Sequence, residues 1–346
     1  EMLRSLVGSE MCIRDRNSDF TLKVTALIIL NYNNYKDTLN CIRSVEHYNT
    51  APVKLVVVDN GSTHRDEVMN LKQYVERRYA GRNLRLNDEE LSVKVSSSSV
   101  TLPYITFIES SSNDGYARGN NKALHLLEKD ADVQYVMILN NDVLFIQDII
   151  PALVAFVENH EDAALVSPLL YKKDMEEIDV NCARLDTSYK AELVENFFHY
   201  CYKAIGTDNP FVEKRYIIKK GTLLTKVIPI ELPSGSCMFI RKQLFADLRF
   251  FDPYTFLYFE ENILWQKVKS IGKRNYLLTG LKCIHLGAST TSFSPSLFIL
   301  DHNYRSARYY MKNYMGVSKP AYWLYCFSVV VSKFLLRLQK AIMHKK

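Results

Sequence analysis

From Val24 onward, short apolar runs alternate with polar turns and with stretches whose apolar residues recur at helical spacing. Residues 24–30 (VTALIIL) are almost wholly apolar, as expected of a strand covered on both faces, and the segment after Asp37 sets Leu39, Ile42 and Val45 on one helical stripe. The unit recurs. A strand at 53–58 (VKLVVV) precedes a helix marked by Val68, Leu71 and Val75, and one at 104–108 (YITFI) precedes a helix carrying Ala123, Leu124 and Leu127. Another at 133–139 (VQYVMIL) precedes a helix through 148–158, with Pro151 tolerated only in its first turn. This alternation predicts right-handed crossovers and an α/β fold, a mainly parallel central sheet with helices on both faces. Two stretches break the rhythm. Residues 81–103, with Asn87-Asp88-Glu89-Glu90 and the run Ser96–Ser99, are expected as a surface insertion; 171–230, rich in aromatic and charged residues, is expected as an excursion over the active face.

Composition narrows the class. With 346 residues, 47% hydrophobic, 24% charged, 12 Gly, 10 Pro and no short-period repeat, the chain reads as a folded body of enzyme size, not a disordered, collagen-like or solenoid one. Seven cysteines without a CxxC pair argue against a disulfide framework or a thiolate zinc cluster and predict reduced thiols in a cytoplasmic setting. The net charge of +6 is unevenly spread: Tyr304 to Lys346 holds nine Lys or Arg and no Asp or Glu, so the rest of the chain is −3.

Within that tail, 321–332 (AYWLYCFSVVVS) is apolar for about a dozen positions, short of the ~20 that a membrane span needs. Phe334, Leu335, Leu336, Leu338 and Ile342 then interleave with Lys333, Arg337, Lys340, Lys345 and Lys346. That is the pattern of a basic amphipathic helix at the inner face of the cell membrane; a helix packed on the main domain with a solvated face fits it too. Nucleic acid is not an expected partner, since no base-reading motif accompanies the charge. At the other end, Leu6 to Asp15 (LVGSEMCIRD) resembles the in-frame translation of a transposase adapter used in preparing sequencing libraries. Residues 1–19 are therefore set aside as an unstructured start, leaving a main domain at 20–303 and a basic helical tail at 304–346.

In open parallel sheets, ligands bind beyond the carboxyl ends of the strands. The residues there form a consistent set: Asn31-Tyr32-Asn33-Asn34, Asp59-Asn60-Gly61-Ser62, Asn113-Asp114-Gly115 and Asn140-Asn141-Asp142. Each turn alone is explained by ordinary turn chemistry, but together they converge an aromatic ring, carboxylates, carboxamides and glycine backbone on one edge. The first turn, NYNNYKD, lacks the glycines of a dinucleotide site, and no GxxxxGK[ST] phosphate loop is present.

These residues resemble the inverting GT-A glycosyltransferases of family 2, particularly the bacterial rhamnosyltransferase-like members. The resemblance rests on VTALIILNYNNYKDTLNCIRSV, LVVVDNGST, NDGYARGNN, YVMILNNDV, LPSGSCMFIRKQLF, FFDPYTFLYFEENILW and CIHLGAS, in the family's order across roughly 22–290. It implies a GT-A fold with a Rossmann-like nucleotide half and an acceptor half. It also implies that Asn31, Tyr32 and Asp59 meet the nucleotide, the tyrosine near the base and the carboxylate accepting from base or ribose. Asn113, Gly115, Arg118 and Asn141 would lie along the donor, with Arg118 on its diphosphate or in solvent. Ser234 and Gly235 would floor the acceptor side. Asp142, the single carboxylate in a motif usually written Asp-x-Asp, would bind Mg2+ or Mn2+ together with His285 and the donor's phosphates. The acidic pair Glu260 and Glu261 would be catalytic, Glu261 as general base. Ile263 stands where relatives often carry an acidic residue, which puts acceptor recognition or full activity in question.

The expected reaction moves a sugar, with inversion, from a nucleotide-diphosphate sugar to a hydroxyl of a glycan or lipid-linked acceptor in cell-surface polysaccharide synthesis. The competing expectation is a degenerate relative that binds nucleotide sugars or glycans without turnover.

Overall fold

A computed structural model describes residues 23–204, 210–219, 224–287 and 297–343; the segment 1–19 lies outside them. The predicted alternation is present as β1 (Val24–Asn31), α1 (Tyr35–Tyr48), β2 (Val53–Asp59), α2 (Arg65–Arg78), β3 (Asn83–Asn87), α3 (Asp88–Val95), β4 (Ile105–Glu109), α4 (Gly115–Glu128) and β5 (Val133–Asn140). Next come β6 (Val143–Phe145), α5 (Ile150–Asn159), β7 (Ala163–Tyr171), α6 (Tyr189–Ala204), α7 (Pro210–Glu213), β8 (Val227–Ile230) and β9 (Cys237–Arg241). The chain continues through α8 (Lys242–Asp247), α9 (Glu260–Ser270), β10 (Arg274–His285), α10 (Leu297–Asn313) and α11 (Lys319–Met343). Pro151 sits in the first turn of α5, where its missing N–H has no helical partner to lose.

The ten strands among the described residues join one sheet, ordered β3, β4, β2, β1, β5, β9, β7, β10, β6, with β8 also on β10. The first five run parallel. Beyond them β9 is antiparallel to β5 and β7, while β10 runs parallel to β7 and antiparallel to β6 and β8. Residues 81–103, expected as a surface insertion, instead supply β3 and α3, so this segment is the sheet's edge. The sequence conceals it because only Leu86 of β3 is buried.

Alternation along the strands divides the core. Leu27, Ile29, Leu55 and Val57 face α1 and α2, whereas Ala26, Ile28, Val56 and Val58 face α4 on the other side. A third cluster joins Phe259 and Ile263 of the α9 region to Tyr304, Ala307 and Tyr310 of α10 and to Tyr325 and Val329 of α11. The predicted tail is thus a docked helical pair, and α10 begins seven residues before the expected boundary at 304.

Candidate active site

Side-chain bonds stitch the carboxyl ends of β1, β2 and β5 together. Asn31 is in register with Asp59; its Nδ2 donates to Asp59 Oδ1 at 2.8 Å, and its Oδ1 accepts from Thr38 Oγ1 at 2.7 Å. Ser62 donates to the same carboxylate through its hydroxyl at 2.5 Å and its N–H at 3.3 Å. Asp59 is only 1% exposed, and burial pushes its pKa up against the pull of these donors. The carboxylate expected to meet base or ribose therefore has internal partners, because a buried acid at the end of an apolar strand needs donors close by. Tyr32 follows directly and is partly exposed. Asn33, in the left-handed region at φ 52°, turns the chain so that its Oδ1 accepts from the backbone of Thr63 and His64, tying the β1 turn to the β2 turn. Asn141 Nδ2 donates to Asn34 O and Thr38 Oγ1, both at 3.1 Å, and so holds the β5 end against the start of α1.

At the start of α4, Asn113 Oδ1 accepts from Gly115 N at 2.9 Å and from Asn60 Nδ2 at 3.0 Å. Gly115 is required there: φ is +79°, and a Cβ would lie 2.3 Å from Phe256 O. Arg118 is exposed and donates from Nε to Pro253 O at 2.8 Å. It pins the segment that closes over α4.

Past β5, Asp142 is buried and its Oδ2 lies 3.5 Å from Nε2 of His285, at the end of β10. On the other ring nitrogen, Nδ1 donates to Asp179 Oδ2 at 2.7 Å. Burial alone would push the histidine's pKa down; the hydrogen bonds and charges of Asp142 and Asp179 outweigh it and carry the value up to about 9. Asp179 in turn is held below its ordinary value, its own burial being outweighed by His285 and the Asn181 donors. Among the described residues, no group of three or more His, Cys, Asp or Glu side chains converges as a self-sufficient metal site. Asp142 provides one carboxylate and His285, once Nε2 gives up its proton to a metal, one imidazole, a donor set that fits Mg2+ or Mn2+ when diphosphate oxygens and water complete the sphere.

The acidic pair enters on a strained bend. Tyr258 and Phe259 both have positive φ, at 70° and 68°, at a cost of roughly 1–3 kcal/mol each, and Phe259 is held there by its packing in the third cluster. The bend turns the two glutamates apart. Glu261 Oε1 accepts from Gly235 N at 2.9 Å and faces Arg184 Nη2 at 3.6 Å. Tyr116 OH donates to Gly235 O at 2.5 Å, which fixes the far side of that peptide. Ser234 shares a hydrogen bond with Ser236 beneath it. Glu260, expected as the second catalytic carboxyl, instead points into the protein: it is 5% exposed, its Oε1 has no partner among the described residues, and burial, reinforced by the charge of Glu261, pushes its pKa up to about 8. Ile263 is 1% exposed and belongs to the third cluster, so an acid at this position would be buried among aromatic rings.

One cavity of about 660 Å³ is lined by Asp179, Arg184, Ser234, Glu261 and His285, with residues of α6, α10 and α11 in part of its wall. Asp179 and Arg184 escaped the sequence reading. The only available signal was an acid and a base inside the stretch read as covering the active face; nothing in their spacing ties them to partners 106 and 77 residues away. Arg184 Nε is buried without a partner among the described residues, which leaves a donor beside Glu261.

No protein-family model matches the chain, and no curated protein matches it. Among solved structures, a crystal structure of GalNAc-T7 with UDP, GalNAc and Mn2+ is similar over 84% of this chain and 48% of that chain, at 12% identity and a TM-score of 0.54. The chain thus spans about half the length of that protein. The likeness is one of architecture, and it agrees with the sheet and its helices: this chain has the GT-A glycosyltransferase fold.

Proposed function

We propose that the chain moves a sugar from a nucleotide-diphosphate sugar to an acceptor hydroxyl, with inversion at the anomeric carbon, in building a cell-surface polysaccharide or lipid-linked glycan. The observation that carries this reading is the single cavity walled by both Glu261 and His285, with His285 directed at Asp142. Glu261 takes the proton of the acceptor hydroxyl as that oxygen attacks the anomeric carbon. The bond to the diphosphate breaks, and its electron pair leaves with the nucleoside diphosphate. A base so placed contributes about 10²–10⁴ in rate. Gly235 N–H and Arg184 keep its carboxylate aimed into the cavity. Asp142 and His285 would hold Mg2+ or Mn2+, which when bound supplies Lewis-acid stabilisation of the leaving group. Asp179 fixes the His285 ring, as a carboxylate behind a metal-binding histidine does elsewhere. Tyr32 offers a face to the base, and Ser234 with Gly235 borders the acceptor. The UDP and Mn2+ in the GalNAc-T7 structure support this class of donor and metal.

Nucleotide release from a panel of nucleotide sugars, with and without Mn2+, tests the reading. Glu261→Gln should lower transfer about 10²–10⁴-fold while leaving the donor's thermal stabilisation of the protein intact. Donor binding with no metal-dependent release in the unaltered chain would favour the second reading, a binding protein without turnover.

A further inference from the structure

Among the described residues, helix α11 packs mainly through one face, with the Phe327 ring at its margin 6.4 Å from that of Phe197 on α6. Tyr325, Val329 and Leu336 are buried, Ser328 accepts from Asn196 Nδ2 of α6 at 3.0 Å, and Ser332 accepts from Tyr304 OH of α10 at 2.5 Å. On the opposite face Trp323, Phe327, Val330 and Phe334 are 69, 59, 63 and 64% exposed. Their spacing of four, three and four residues makes one helical stripe. Lys319 and Arg337 continue it at either end, both exposed, about 27 Å apart at the ordinary helical rise. Leu336, which the sequence pattern counts with the lipid-facing residues, is turned inward.

The charge around the stripe selects its occupant. From His302 to Lys346 there is no Asp or Glu, and the nearest acid on α10, Asp301, is engaged by Lys333. A second copy of this chain is the poorer match, since a two-fold pairing of α11 helices sets Lys319 and Arg337 against cations of the other copy. Lipid headgroups bring the opposite charge, and a tryptophan beside aliphatic and phenyl side chains suits the headgroup boundary. No helix among the described residues is long and apolar enough to cross a membrane.

We propose that α11 docks the protein flat on an anionic bilayer surface, with Trp323, Phe327, Val330 and Phe334 entering the acyl boundary and Lys319 and Arg337 meeting lipid phosphates. The full chain, sedimented with phosphatidylcholine vesicles with and without phosphatidylglycerol, tests this. The protein should pellet with the anionic vesicles, and Trp323 emission should shift to the blue; the other tryptophan, Trp265, is already buried and contributes no such shift. Phe327→Ser with Phe334→Ser should weaken partitioning by about tenfold or more with an unchanged circular dichroism spectrum, since both rings are exposed. Lys319→Glu with Arg337→Glu should abolish the preference for phosphatidylglycerol. Absence of binding, an unmoved Trp323 spectrum in the unaltered protein, or full binding by the folded phenylalanine variant overturns the proposal. So does a dimer in light scattering that the same variant converts to monomer without any vesicle binding.

Discussion

Gly235 and Glu261 define the tolerance of the site. A Cβ on Gly235 would lie 2.7 Å from Glu261 Oε1, at the mobile end of a side chain, so the carboxylate and not the backbone would yield. Gly235→Ala should therefore leave the melting temperature nearly unchanged, a cost within about 1 kcal/mol, yet, on the proposed role of Glu261, lower kcat about 10²-fold by moving that carboxylate off its N–H anchor. Steady-state kinetics beside a thermal melt would separate the two. Glu260 predicts the reverse, a stability effect. Below its ordinary value of 4.5 its carboxyl holds a proton folded and unfolded alike; between there and about 8 only the folded state retains it. Stability should fall with rising pH across that window, by at most about 1.4 kcal/mol per pH unit from this group, and level off above it. Glu260→Gln should flatten the dependence in chemical denaturation at pH 5 to 9; an unaltered slope would show that Glu260 titrates normally.

At the scale of elements, α9 links chemistry to architecture. Its first turn carries Glu261, and Ile263 two residues on is sealed against α10 and α11. Ile263→Asp should destabilise the fold by roughly 3–5 kcal/mol, by burying a carboxylate among apolar and aromatic side chains, as read in a thermal melt. A native-like melt for this variant would mean that the third cluster is loosely packed. Ile263 thus has a structural account in this chain. Legibility follows the same physics. β1, β2, β4 and β5 are readable because strands covered on both faces must be apolar throughout. β3 (NLRLN) is hidden by its edge position, and β6 by a length of three residues.

For the whole molecule, the sequence exposes what lies at strand ends and conceals what arrives from far along the chain. Asn31, Asp59, Asn141 and Asp142 follow apolar runs and could be read there; Asp179 and Arg184 reach the cavity only through tertiary folding of an irregular stretch. The partition of charge was equally legible, but not which side of α11 would be free, because burial of Tyr325, Val329 and Leu336 depends on α6 and α10 being in place. The third cluster carries a practical warning for anyone seeking a shorter, better-behaved version of this protein. Cutting before Leu297 to shed the sticky outer helix would also strip the brace from behind the bend at Tyr258 and Phe259, leaving two left-handed residues without that packing and the Glu261 carboxylate that follows them less firmly placed.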